Sequence, residues 1–129
     1  MQPLEVDHDV RENAVVVKVK GDVDSLSVYA LNNHLAKARD NAVCHPSRLV
    51  VIDLTEVTYF GSAALNAVLS CHEEGAAEGT SVAIVADQPY VVQPIEITGL
   101  NDVLEMHPTI DQALRREGQS PDGDGRTPR

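Results

Sequence analysis

Ser62 stands in the stretch VTYFGSAALNAVL (Val57 to Leu69), directly after a glycine and directly before a run with helical spacing. A hydroxyl at such a junction has two uses. As the residue flanking a helix start it can accept a backbone N–H, worth about 1 kcal/mol. Carrying a phosphate, it would lie against the free N–H groups and partial positive charge of a helix N-terminus, and would add about two negative charges to the surface. Asn66, Ser70 and Glu73 follow at spacings of four, four and three, a polar stripe opposite a Leu65/Leu69 side. Asn66 and Ser70 are short and uncharged, so they cost little to desolvate against a partner. In GDVDS (Gly21 to Ser25), Asp22 and Asp24 have turn and cap chemistry, and loops converging at one end of a parallel-type sheet would bring one of them near Ser62.

Other chemistries fit less well. Asp53 ends a VVID run, the place where a response-regulator receiver keeps its phosphoacceptor, but such a receiver also needs an acidic pair after its first strand and a lysine ending a later one. SVAIVADQP offers no lysine, so Asp53 is read as structural, capping a turn before Thr55. GSAAL lacks the flanking glycines of a hydrolase nucleophile elbow. His8, His34, His45, His72 and His107 show no ligand spacing with Cys44 or Cys71. Neither a metal site, a cofactor nor catalytic activity is expected. Cys71 reads as a small core residue, and a Cys44–Cys71 redox bridge has no support beyond the presence of two cysteines.

Composition narrows the partners. The 129-residue chain has a formal net charge of −10 and a pI near 4.7, a balance that repels nucleic acid and anionic membrane. At 43% apolar residues it can bury a core without disulfides or metal. Two cysteines and no leading apolar segment point to the cytosol. No apolar run approaches the roughly 18 residues a membrane span requires.

The elements that must position these residues alternate. AVVVKVKG (Ala14 to Gly21) sets Val15, Val17 and Val19 against Val16, Lys18 and Lys20, a strand with one wet side. LVVIDL (Leu49 to Leu54) and SVAIVA (Ser81 to Ala86) are continuous apolar runs, as in strands covered on both faces. Weaker strands are expected near Leu4–Val6 and Val103–Met106. A first helix follows the caps Ser25 and Ser27 and carries Val28, Leu31, Leu35 and Ala38 to about Asn41. A second covers Ser62 to Glu78, with Leu65, Val68, Leu69 and Cys71 inward, Gly79 as its stop and Gly75 costing about 1 kcal/mol inside it. A third, Pro89 to Thr98, would be capped by Asp87, kinked at Pro94 and ended by Gly99. In a fourth, Thr109 and Gln112 have capping-box spacing, with Ile110, Ala113 and Leu114 apolar. The expectation is one α/β domain over residues 1–117, a mixed, mostly parallel sheet of four to five strands flanked by about four helices. Residues 118–129, rich in Gly, Pro and charge, form a disordered tail.

Together VVVKVKGDVD, VVIDLTEVTYFGSAALNAVL and VVQPIEITGLNDVLEMHPTIDQAL, in this order and spacing, resemble the STAS domain family, specifically the bacterial anti-sigma factor antagonists. The resemblance covers about Ala14 to Leu114. It implies a small cytosolic switch that binds an anti-sigma factor, usually a serine kinase with a GHKL-type ATP site, and thereby frees a sigma factor. It also implies phosphorylation at the start of the second helix, dissociation, and restoration by a phosphatase. The usual stretch there reads Asp-Ser-Ser/Thr-Gly-Leu with the second hydroxyl modified. Here Gly61 takes the aspartate's place, Ser62 matches the first serine, Ala63 stands at the modified position and Ala64 at the glycine. Asp24 matches an aspartate that contributes to partner binding. The surface expected to meet a partner is therefore Asp24, Gly61, Ser62, Asn66 and Ser70, with Ser62 the phosphorylation candidate. Two alternatives stand beside this: a non-phosphorylated STAS scaffold or sensor subunit of a larger signalling complex, and a receiver-like phosphoacceptor using Asp53. The sequence leaves open whether the domain forms a homodimer through a sheet edge or a helix.

Overall fold

The computed structural model describes residues 3–115. The tail expected over residues 118–129, and with it the domain boundary at residue 117, lies outside the described residues.

Five strands form one sheet in the order β1-β2-β3-β4-β5. β1 (Glu5–Val10) runs antiparallel to β2 (Val15–Val23), and β3 (Leu49–Phe60), β4 (Ser81–Val85) and β5 (Glu105–His107) follow in parallel. Each parallel step is bridged by a helix: α1 (Val28–Val43), α2 (Ser62–Glu78) and α3 (Pro89–Ile97), and α4 (Ile110–Arg115) follows β5. Parallel strands need such crossovers, whereas the antiparallel β1/β2 pair needs only a short turn. In that turn the Arg11 amide donates to the Ala14 carbonyl at 2.8 Å.

The main core lies on one side of the sheet, where Val15, Val17, Val50, Ile52, Val82 and Ile84 meet Leu31 and Leu35 of α1, Ala67 and Val68 of α2, and Val91 and Ile95 of α3. A smaller cluster on the other side gathers Ala14, Val16, Leu49, Val51, Ala83 and Val85 under Ala113, with Ile110 and Leu114 at its edge. α4 thus corrects the reading of β2: Val16 is fully buried, and only Lys18 and Lys20 of that side remain part-exposed. The continuous runs of β3 and β4 are covered on both faces, as their composition requires.

Three local readings change. β3 does not end at Leu54 but runs on to Phe60, beyond its last pairing with β4 at Asp53/Val85. The carbonyls thereby left without a strand partner are satisfied from α3. Gln88 Nε2 donates to Leu54 O (2.7 Å) and Val57 O (3.2 Å), and the Tyr90 hydroxyl donates to Val57 O (2.9 Å). Gln88, not Asp87, flanks the start of α3, which continues through Pro94 and stops before Gly99 at φ 78°. The inward face of α2 is Ala64, Ala67, Val68, Cys71 and Gly75, with Leu65 and Leu69 only part-buried at its margin. Small residues let α2 lie close to its neighbours. A Cβ on Gly75 would meet Thr80 Oγ1 at 2.8 Å and Val82 Cγ2 at 3.1 Å. Gly79, at φ 82°, ends the helix as expected, and the Thr80 amide donates to Gly75 O at 2.8 Å.

Candidate functional site

β2 and β3 end side by side: Val23 pairs with Phe60, and the Gly61 amide points at Val23 O from 3.5 Å. The chain leaving β2 must turn into α1 and the chain leaving β3 into α2, so the two helix entrances are neighbours. Asp24 builds the first. Its Oδ1 accepts from the Leu26 amide (3.0 Å), the Ser27 amide (2.9 Å) and the Ser27 hydroxyl (3.0 Å), and its carbonyl accepts from the Val28 amide at 2.9 Å. These bonds fix the turn that leads into α1, in which Ser27, one of the two expected caps, holds the N-cap position. Ser27 flanks the helix, but its hydroxyl caps nothing and instead lies 3.1 Å from Asp22 O and 3.0 Å from the Asp24 amide. The Ser27 amide foremost, then the Ser27 hydroxyl and the Leu26 amide, hold the Asp24 carboxyl below the ordinary aspartate range, because each stabilises the anion. Asp22 is drawn away to Thr58, whose hydroxyl donates to its Oδ1 at 2.6 Å. Of the two aspartates, Asp24 is thus the one that shapes the loop beside α2.

The second entrance differs from the expectation. Gly61, in an extended conformation (φ −90°, ψ −174°), is the N-cap, and Ser62 is the first residue of α2. Ser62 is exposed and its side chain caps nothing. The reading of Ser62 as the cap therefore gives way to one in which its Oγ is available to solvent, beside backbone N–H groups of a first turn that no side chain occupies. A Cβ on Gly61 would lie 3.0 Å from the outer end of the Tyr59 ring, so a larger residue there would displace that exposed side chain.

Asn66 and Ser70 continue from Ser62 along the exposed face, as does Glu73. Asn66 and Ser70 also line a groove of about 470 Å³ between α1 and α2, with Asn32, Ala36 and Arg39 opposite. Arg39 closes its far end. Its Nη2 lies 2.7 Å from Glu74 and its Nε 3.3 Å from Glu78, tying the two helices together. Cys71 is buried against this arginine. Burial pushes its thiol up while Arg39 pulls the other way. Cys71 and the exposed Cys44 are both free, with no bridge between them.

Three exposed apolar side chains, Leu26 (83% exposed), Tyr29 (71%) and Tyr59 (53%), belong to the turn before α1, the first turn of α1 and the end of β3, the segments that form the two helix entrances. None of the three is marked as a site residue by motif or spacing. Leu26 carries the one available signal, a large apolar residue between two cap-type serines where no helical or strand period can bury it.

Asp53 is enclosed rather than presented at a surface. It lies within β3, 8% exposed, its Oδ1 accepting from the Thr55 amide (3.0 Å) and hydroxyl (2.7 Å). The bond to Thr55 is as expected, though it forms within a strand rather than a turn. Among the described residues no three of His, Cys, Asp and Glu gather as a metal site, and no helix is long and apolar enough to cross a membrane.

The family model for the STAS domain matches residues 5–113. The chain belongs to the STAS domain family. An anti-sigma-F factor antagonist of Mycobacterium tuberculosis, RsfA, is 28% identical over 103 residues, spanning 80% of this chain and 79% of that one. The crystal structure of an anti-sigma factor antagonist from Mycobacterium paratuberculosis superposes with a TM-score of 0.82 at 26% identity, covering 91% of this chain and 96% of that one. The anti-sigma factor antagonist SpoIIAA in its unphosphorylated form shares the fold, with a TM-score of 0.69 at 17% identity over 92% and 99% of the two chains. The single α/β domain with its mixed, mostly parallel sheet is the architecture of these neighbours.

Proposed function

We propose that this STAS domain is an anti-sigma factor antagonist: it binds an anti-sigma factor, a serine kinase of the GHKL type, in the cytoplasm and so releases a sigma factor. It acts by binding and carries out no catalysis. The contact surface is Asp24, Gly61, Ser62, Asn66 and Ser70, rimmed by Leu26, Tyr29 and Tyr59. One observation carries the reading, an exposed Ser62 hydroxyl at the first position of α2, whose first turn has no side-chain cap. Apolar and aromatic side chains with short polar ones between them are the composition of an interface centre. A phosphate on Ser62 would place a dianion in that contact, where its desolvation opposes association. The names of the relatives and of the structural neighbours support the same reading.

Ala63, at the position usually modified in the family, favours a second reading, in which the antagonist binds but carries no phosphoswitch. Incubation with the cognate kinase and ATP, followed by intact mass, site mapping and a binding assay, decides between them. The expected outcome is one phosphate on Ser62, absent in Ser62→Ala, with loss of binding on modification. A stable complex without mass change would support the second reading, and no binding to any anti-sigma factor of the source organism would sink both.

A further inference from the structure

His8 lies in the middle of the edge strand β1, opposite Val17 of β2, and His34 lies in the middle of α1. The fold brings these two rings together across 26 residues of sequence. His8 Nε2 and His34 Nδ1 are 2.8 Å apart, with ring centroids 5.0 Å apart and planes inclined at 39°. His8 is exposed and His34 half-buried, so the point where the nitrogens converge is open to solvent.

Two neutral imidazoles at this distance share one proton, the N–H of one ring pointing at the lone pair of the other. A tautomeric shift in the donating ring, its proton passing through solvent to the other ring nitrogen with no net loss, would leave a lone pair on each of the two facing nitrogens. In a tetrahedral site with metal–nitrogen bonds of about 2.0–2.1 Å, two ligating nitrogens are about 3.3 Å apart. To accept an ion the pair needs to open by roughly half an ångström and both rings to turn off the line that joins their centres, a movement that falls mainly to the exposed His8. Burial first, then His34 and Lys37, hold His8 below the ordinary histidine range, with Asp7 pulling the other way. Lys37 works against a cation here; Asp7 and the net charge of −10 work for it. The other bonded histidines are engaged elsewhere: His45 by Arg11 O and Ser47, His107 by Glu105.

We propose that His8 and His34 form a two-imidazole site for a late first-row divalent cation of the Zn2+ class, which clamps β1 to α1. Imidazole suits these ions, and the order of affinity for such a site places Ni2+ and Zn2+ above Mn2+. With two protein ligands the remaining positions belong to water.

The test is a Zn2+ titration of the full chain, followed by calorimetry and by the imidazole nitrogen resonances in NMR. One equivalent should bind, the His8 and His34 resonances should shift together, and the melting temperature should rise with Zn2+, because the folded chain alone holds both rings in place. His8→Asn and His34→Asn should each weaken binding by about tenfold or more, while His72→Asn leaves it unchanged. Backbone NMR spectra of the variants confirm that they fold. Absence of saturable binding overturns the proposal, as does binding that survives both substitutions or that disappears in Cys44→Ser instead.

Discussion

At Asp24 one carboxylate oxygen holds the turn between β2 and α1 through two amides and a hydroxyl, and this gives the turn a pH dependence of known sign. The folded-state pKa is depressed, so the stabilisation is fully present above the ordinary aspartate pKa of about 3.9 and is lost as pH falls through the folded value. Asp24→Ala should be less stable than the parent at neutral pH, with the gap narrowing in acid. Urea melts at a series of pH values from 7 down to 2.5 check this, and a gap that stays constant into acid would refute it. Asp24→Asn keeps a neutral acceptor oxygen and should retain part of the stability without that pH dependence. Ser62 shows the opposite situation. Its neighbour Gly61 takes the cap position, so the hydroxyl is left outside the fold's own hydrogen bonding. Which of two adjacent residues becomes the cap depends on backbone angles that the string GSAAL does not state, which is why the availability of Ser62 was not legible before the helix was in place.

Among the elements, α2 is where sequence and structure agree most closely in extent and differ in meaning. Its bounds, Ser62–Glu78, follow from helical spacing and from Gly79. Its packing face does not, because Leu65 and Leu69 carry the stronger apolar signal, yet close approach to the sheet selects Ala64, Ala67 and Gly75. Gly75 exemplifies the difference. Propensity alone makes it a defect that alanine would repair by about 1 kcal/mol. But the added Cβ would lie 2.8 Å from a Thr80 hydroxyl that is itself bonded to Gly75 O at 3.1 Å, and overpacking typically costs about 1–3 kcal/mol. Gly75→Ala is therefore expected to be net destabilising, by up to about 2 kcal/mol, as a lower urea midpoint with unchanged m-value. A stabilised variant would show that Thr80 rotates away freely. β3 and β4 were legible for a simpler reason: runs such as LVVIDL and SVAIV are tolerable only when both faces are covered. The extension of β3 to Phe60 was not legible, since the partners of its outer carbonyls, Gln88 and Tyr90, lie about 30 residues away in sequence.

For the whole molecule, the sheet has a thick side and a thin one. α1, α2 and α3 cover the first, and on the second, among the described residues, α4 with Ala113 at its centre shields Val16, Val51 and Val85. The alternation in β2 suggested a wet face at Val16 because the helix that dries it arrives almost a hundred residues later, a distance at which no local period carries information. The small helix is therefore integral to the fold. Ala113 is fully buried, and a carboxylate placed there has no partner, so it must either remain charged in an apolar layer or take up a proton. Ala113→Asp should lose several kcal/mol of stability at pH 7 by the usual cost of burying an unpaired charge, about 3–5 kcal/mol. The loss should shrink toward acid pH, where the raised pKa of the new group lets protonation proceed at less expense. The same substitution at the exposed Ala77 of α2 should stay within about 0.5 kcal/mol of the parent. Urea denaturation of both variants at pH 7 and pH 5 separates the outcomes. Equal, small effects at the two positions would mean that α4 detaches at little cost and that the second face of the sheet is closed by something other than this helix.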